Sequence, residues 1–352
     1  MSLLQIVLGL SSVPSDSDTL ISPHLFYIFN NPGIAGCVFL HKPKIMSSSI
    51  LVIGSTNTDM VVKADRLPAP GETVIGGSFF MSQGGKGANQ AVAAQRLGGN
   101  VTFIFKTGND IFGERSIQLF KAEGINIGHC ICDDQLASGV ALITVDKNAE
   151  NCIAVASGAN AALMPADIEP VKGLIETASF VLMQLEIPIE TVSYMAELAA
   201  ARSCTVILNP APACPLPASL LKNVSVITPN EKEAEVLSGI SIVDDESTRK
   251  AAAIIREKGV NTVIITLGSR GAFICNAEIE QFIPAIKVEA VDTTAAGDVF
   301  NGALAVAISE GRSLEDAVRF ACSAAAVSVT RLGAQTAAPY RKEVEATQFN
   351  PS

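Results

Sequence analysis

From Ile50 onward the chain alternates between short apolar runs and longer stretches whose apolar positions recur at helical spacing. Ile50 to Ile53 is an unbroken apolar run, and Lys86 to Leu97 follows with a helical pattern. Further strand-like runs occupy Val101 to Phe105, Phe180 to Leu185, Thr205 to Leu208, Val224 to Thr228 and Thr262 to Thr266. Helical patterns such as Ile189 to Arg202 and Glu246 to Lys258 separate them. Runs that are apolar on both faces belong to strands covered on both sides, so the pattern predicts an α/β sandwich of three layers with a mostly parallel central sheet.

Two stretches break the rhythm. Val61 to Met81 is rich in β-formers and turn residues without a helix, and Val140 to Val145 with Cys152 to Ala156 flank the polar turn Asp146 to Asn151 like a hairpin. Together they predict a small β-sheet lid formed by parts of residues 57–83 and 138–157. Two Ala-rich helices, Gly297 to Glu310 and Leu314 to Thr330, follow near the end, and their small residues read as packing.

Residues 1–47 differ from the rest, with apolar scraps, scattered Pro, Ser and Asn, and no Lys or Arg before Lys42. A secretory signal needs a basic start and a transit peptide needs arginines, so this segment is expected to be an extension outside the fold. Met46 offers an alternative start. The folded domain is expected over residues 48–348.

Composition narrows the function. Of 352 residues, 48% are hydrophobic and 17% charged, which describes a chain that folds. A net charge of -10 argues against nucleic acid or an anionic membrane as main partner, since both attract basic surfaces. No apolar run approaches the roughly 20 residues of a bilayer span. The 8 cysteines form no CxxC pair, and Cys130 with Cys132 is the only close spacing, so a reducing cytoplasm is the expected compartment. Histidines are confined to His24, His41 and His129, which leaves acid–base chemistry to carboxylates.

The strongest local signal is Asp292-Thr293-Thr294-Ala295-Ala296-Gly297-Asp298, small residues opening a helix after a β stretch. Such a turn aims backbone N–H groups at an anion, and the helix dipole adds to the attraction. Asp298 at its mouth suits a base that takes a proton from an attacking hydroxyl; a first-turn acid favouring the dipole is the other reading. Gly84-Gly85-Lys86-Gly87-Ala88-Asn89 also enters a helix, with Lys86 and Asn89 able to donate to sugar oxygens. No Walker A motif is present, because Gly87 follows Lys86 where Ser or Thr is required.

Asn57 and Asp59, two apart, face one way near the end of the first strand, and Glu186 closes the strand beginning at Phe180. Thr228-Pro229-Asn230-Glu231 with Glu233 ends one strand and starts a helix: Asn230 is either a cap or a phosphate contact. Thr266-Leu267-Gly268-Ser269-Arg270-Gly271 is a strand with a Gly-rich turn that holds nucleotide or merely reverses the chain.

Taken in order, Asn57/Asp59, GGKGAN, Met183-Gln184-Leu185-Glu186, Asn209-Pro210-Ala211-Pro212-Ala213, PNEKE, TLGSRG and DTTAAGDVFNGA resemble the ribokinase family of sugar kinases from about Ser48 to about Ala346. The resemblance implies ATP-dependent phosphorylation of the 5-hydroxyl of D-ribose, with Asp298 as catalytic base and Ala295, Ala296, Gly297 and Asp298 as anion hole. It places Asn57, Asp59, Gly85, Lys86, Gly87, Ala88, Asn89, Glu186 and Asp298 itself on the sugar. ATP would meet Asn230, Thr266, Leu267, Gly268, Ser269, Arg270, Gly271, Ala295 to Asp298 and the region of Cys322. Glu233 would orient magnesium through water, and potassium would lie among Asp292, Thr294, Ser328, Arg331, Gly333 and Ala337, mostly on backbone carbonyls. A homodimer joined through the β lid is also implied. Two positions depart from the pattern: Ala337 has no side-chain oxygen where relatives often carry serine, and Cys322 replaces a polar residue. A related sugar such as 2-deoxyribose, fructose or a nucleoside, and a non-catalytic sugar-binding regulator, are the competing expectations.

Overall fold

The computed structural model describes residues 48–148 and 150–349. The segment expected to be an extension, residues 1–47, lies outside them. In chain order the strands are β1 (Ser49–Ile53), β2 (Asn57–Lys63), β3 (Ser78–Gly84), β4 (Asn100–Ile104), β5 (Lys106–Gly108), β6 (Ile131–Asp133) and β7 (Gly139–Val145). They continue as β8 (Asn151–Ala156), β9 (Ala178–Met183), β10 (Thr205–Leu208), β11 (Val226–Ile227), β12 (Thr262–Thr266), β13 (Ala272–Cys275) and β14 (Glu280–Ile283). The longer helices are α1 (Lys86–Arg96), α2 (Ile111–Ala122), α3 (Ile189–Ala200), α4 (Glu231–Ser238), α5 (Asp245–Glu257), α6 (Ala296–Ser309), α7 (Leu314–Ser328) and α8 (Arg341–Phe349).

The main sheet runs β14-β13-β12-β11-β10-β9-β1-β4, parallel from β12 through β4, with β13 and β14 added antiparallel at one edge. Alternation along β1 divides the core in two. Ile50 and Val52 join the α1, α6 and α7 side with Val92, Leu304 and Phe320, while Leu51 and Ile53 join the α3, α4 and α5 side with Met195, Leu237 and Ile255. A strand buried on both faces gains nothing from polar alternation, which is why these runs read as continuous apolar segments. The order reverses at β1: the chain first moves outward to β4, then returns to β9 and proceeds the other way. Ligand crevices form outside the carboxyl ends of strands at such a reversal.

A smaller sheet, β3-β2-β7-β8, rises from that end, with β2 antiparallel to β3 and parallel to β7. The strands expected at Val224 to Thr228 and Phe180 to Leu185 are shorter than their apolar runs. Only Val226–Ile227 forms a ladder strand, although Ser225 N and Thr228 N still donate to β10 carbonyls, and β9 ends at Met183, so Glu186 stands in the following loop. Asn57 and Asp59 likewise belong to the start of β2, in the smaller sheet, rather than to the end of β1. Gly54 to Thr56 intervene because β1 must leave the main sheet before a second one can begin.

Candidate active site

The site is built where α1 and α6 begin. Gly85 has φ of 89°, a left-handed backbone that glycine adopts without strain, and a Cβ there would lie 2.8 Å from Thr56 Cα. Gly87 lets α1 lie against the end of β1, since its Cβ would come within 2.6 Å of Gly54 C and Ser55 N. That approach puts Lys86 N 2.9 Å from Glu186 Oε2, which also accepts from Ser55 Oγ at 2.5 Å. Ala88 is fully buried against the core.

One turn further along α1, Asn89 Nδ2 donates to Asp298 Oδ2 at 2.9 Å and Gln90 Nε2 donates to Asp298 Oδ1 at 3.0 Å. The GGKGAN segment and the aspartate of α6 thus meet directly across 209 residues of sequence. Asp298 is buried; desolvation raises its pKa against the opposing pull of Lys86, Asn89 and Gln90. Desolvation, then the charges of Glu186 and Asp298, push Asp59 up to about 7. Lys86 faces Asp298, Glu186 and Glu233; burial acts to lower its pKa, but these carboxylates carry it above the ordinary lysine value. One ammonium therefore stands among four acids, a cluster that clefts use for proton transfer and charge stabilisation.

The turn before α6 has the features of an anion hole. Ala295 adopts φ of 58°, a conformation that costs an alanine about 1–2 kcal/mol and here re-aims the chain into the helix. Ala296 N is turned back to Thr293 O at 3.3 Å, so it is only weakly free for a ligand. The N–H groups of Ala295, Gly297 and Asp298 have no acceptor among the described residues, and a Cβ built on Gly297 meets nothing within 4 Å. Exposed donors over open space at a helix N-terminus are where a phosphoryl oxygen fits.

The remaining motifs gather in smaller groups. Asn230 caps α4 in a reciprocal box: its Oδ1 accepts from Glu233 N at 2.9 Å, and its own N and Nδ2 donate to the Glu233 carboxylate at 2.9 Å each. Asn230 also bridges to Thr266, bringing PNEKE beside TLGSRG, where Leu267 is buried and Gly268, Ser269 and Arg270 are exposed before Gly271. Arg270 pairs with Glu231 and Asp245 at 2.8 and 3.2 Å. Asp292 accepts from Thr294 N and Gly333 N, both at 2.9 Å, joining the α6 turn to the segment after α7. Arg331 is ion-paired to Glu343, Ser328 Oγ donates to Ala325 O at 2.8 Å, and Ala337 is buried in a short 3-10 turn. Cys322 lies in the apolar core of α7, where burial pushes its thiol up to about 12.

Several participants carry no signal strong enough to be singled out from sequence. Asn160, just after β8, accepts from Thr56 N at 2.9 Å and donates to Thr56 O at 3.0 Å and Asn57 Oδ1 at 2.7 Å. Gln184 and Asn209 lie within quoted motifs, yet their contact with Gln90 depends on where β9 and β10 end. Thr228 Oγ1 donates to Asn301 Oδ1 at 2.6 Å, extending this buried polar seam along α6.

Comparison with known proteins gives the family. Residues 47–341 match the model of the pfkB family carbohydrate kinases. The chain is 43% identical over 298 residues to a ribokinase of Haemophilus influenzae, covering 85% of this chain and 97% of that one. It is 37% identical over 291 residues to a deoxyribokinase of Salmonella typhimurium, covering 82% and 95%. The solved structure of an Arabidopsis thaliana ribokinase complexed with ribose and ATP superposes with a TM-score of 0.80 at 32% identity, covering 86% of this chain and 98% of that one. Fold and sequence agree: the chain belongs to the pfkB family of carbohydrate kinases.

Proposed function

We propose that this protein phosphorylates the 5-hydroxyl of D-ribose with ATP. The observation that carries the reading is the buried Asp298 carboxylate, which accepts a hydrogen bond from Asn89 of the GGKGAN segment and follows directly on Ala295 and Gly297, whose N–H groups have no acceptor among the described residues. The similarity to ribokinases supports the choice of sugar. Ribose would lie among Asn57, Asp59, Gly85 to Asn89 and Glu186. ATP would cross Asn230 and Thr266 to Gly271, bringing its terminal phosphate over Ala295 to Asp298. Asp298 takes the hydroxyl proton as the oxygen attacks the terminal phosphorus in line, the bond to the bridging oxygen breaks and ADP leaves with that oxygen, and the N–H groups and Lys86 meet the charge that develops.

Glu233 fits the task of orienting a magnesium ion through water, because its buried carboxylate is held rigidly by Asn230 and burial raises its pKa beside Asp298. Such an ion would neutralise phosphate charge. The Asp292–Gly333 link fits a potassium site among Asp292, Thr294, Ser328, Arg331, Gly333 and Ala337, with carbonyls as donors, and it would steady the turn before α6. Among the described residues no helix is long and apolar enough to cross a membrane, and the seven described cysteines are free thiols; we place the enzyme in a reducing cytoplasm.

The smaller sheet acts as the lid and as the dimer contact. It exposes Val62, Phe79, Met81 and Leu142 on one face and Phe80, Ile153 and Val155 on the face shared with Asn57 and Asp59. Apolar exposure on both faces of one small sheet calls for a cover.

General-base assistance is worth about 10²–10⁴-fold, so Asp298→Asn should cut turnover at least about a hundredfold while calorimetric ribose affinity stays nearly unchanged. Near-normal turnover refutes the base. Turnover measured on ribose, 2-deoxyribose, fructose and a nucleoside decides the acceptor; a preference for 2-deoxyribose would overturn the assignment to ribose, and turnover on none would favour a sugar-binding regulator.

A further inference from the structure

The geometry points to Gln90 as the positioning residue of the base: it holds Asp298 Oδ1 so that Oδ2 is presented to the sugar hydroxyl in ionised form. This rests on the reading of Asp298 as base. Gln90 Nε2 donates both to Asp298 Oδ1, at 3.0 Å, and to Asn209 Oδ1, at 3.1 Å, while its Oε1 accepts from Gln184 Nε2 at 2.6 Å. Asn209 Nδ2 donates in turn to the backbone oxygen of Thr228 at 3.2 Å.

That carbonyl can only accept. It therefore fixes which end of the Asn209 amide faces it, which leaves the Asn209 oxygen for Gln90 and obliges Gln90 to offer N–H groups to both Asn209 and Asp298. Gln184 secures the opposite end of the Gln90 amide. The chain of amides thus has a direction set by an atom that cannot be reversed, and it ends as a donor on the carboxylate. Gln90 and Gln184 are 0% exposed and Asn209 is 6% exposed, so water has little access to replace a lost partner.

The need is evident from the surroundings. Facing Asp298 are Lys86 and Asn89 from α1, Glu186 from the loop after β9, Asp59 from β2 and Glu233 from α4. Three acids oppose one ammonium, and burial favours the neutral form of the base. Asn89 is assigned to the sugar, so its contact with Oδ2 is shared with substrate. Gln90 points away from that exchange and holds the other oxygen throughout.

The test is the pH dependence of single-turnover phosphoryl transfer, with ribose affinity by calorimetry, for wild type, Gln90→Leu, Gln184→Met and Asp298→Asn. Loss of one donor to a charged carboxylate should move the acid limb of Gln90→Leu upward by about one pH unit, a roughly tenfold loss of rate on that limb, with ribose affinity within about twofold. Gln184→Met, which leaves the donor but frees its far end, should shift in the same direction by less. A folded Gln90→Leu whose limb stays within about 0.2 unit of wild type overturns the proposal; if that variant does not fold, an unmoved limb in Gln184→Met does so. Full turnover in Asp298→Asn would remove the base itself, whereas an inactive Asp298→Asn beside an unshifted Gln90→Leu removes only the positioning role.

Discussion

Asp59 shows how the site stores unfavourable charge. Its carboxyl ionises near 3.8 in an unstructured chain but near 7 here, because burial and the neighbouring Glu186 and Asp298 disfavour the anion. Between about pH 4 and pH 7 the folded protein keeps a proton that the unfolded chain has released, so the stability present below that window is lost as pH rises through it. Asp59→Asn removes this cost. Allowing for partial solvent screening, it should stabilise the fold by about 2 kcal/mol at pH 8 and by almost nothing at pH 4, as read from thermal melts at the two pH values. Equal stabilisation at both would show that ionisation is not the cause. The same residue marks a limit of sequence reasoning: a carboxylate two positions from an amide is visible as a pair, whereas its raised pKa comes first from burial and then from acids 127 and 239 positions away.

At the level of elements, the smaller sheet is tied to the larger through few residues. Asn57 pairs with Gly84 on β3 and with Gly139 on β7, and the Asn160 side chain closes the junction by matching both the N–H and the C=O of Thr56. A side-chain amide that satisfies a backbone unit in this way replaces a ladder contact where the strand leaves the sheet. Asn160→Ala should leave buried groups of Thr56 and Asn57 unpaired, costing about 2–3 kcal/mol in denaturant unfolding. Because Asn57 also loses its orientation, the KM for ribose should rise about tenfold with a smaller change in kcat. An unchanged KM would separate the junction from the sugar site. The hairpin β7–β8 is legible from two apolar runs flanking a polar turn, but Asn160 is not, since its partners lie 103 and 104 positions earlier.

At the scale of the whole molecule, the two apolar faces of the smaller sheet predict association. Leu142 and Ile153, 55% and 54% exposed, stand on opposite faces, so Leu142→Arg and Ile153→Arg distinguish them. Each should change the monomer's stability by no more than about 0.5 kcal/mol, because neither side chain is buried. The variant on the interface face should elute as a monomer where the parent elutes as a dimer in size-exclusion chromatography; if the parent is monomeric, or neither variant dissociates, the lid-mediated dimer is wrong. The sequence by itself determined the alternation of strands and helices, the parallel sheet, and the glycine and small-residue turns that open α1 and α6, because these follow from local periodicity and backbone freedom. Only the tertiary structure decided that Asn57 and Asp59 belong to the second sheet, that Asn89 and Gln90 grip Asp298, and that five charged groups share one crevice. Local pattern specifies which elements form, but the reversal of strand order at β1 is what brings residues more than two hundred positions apart within hydrogen-bonding distance.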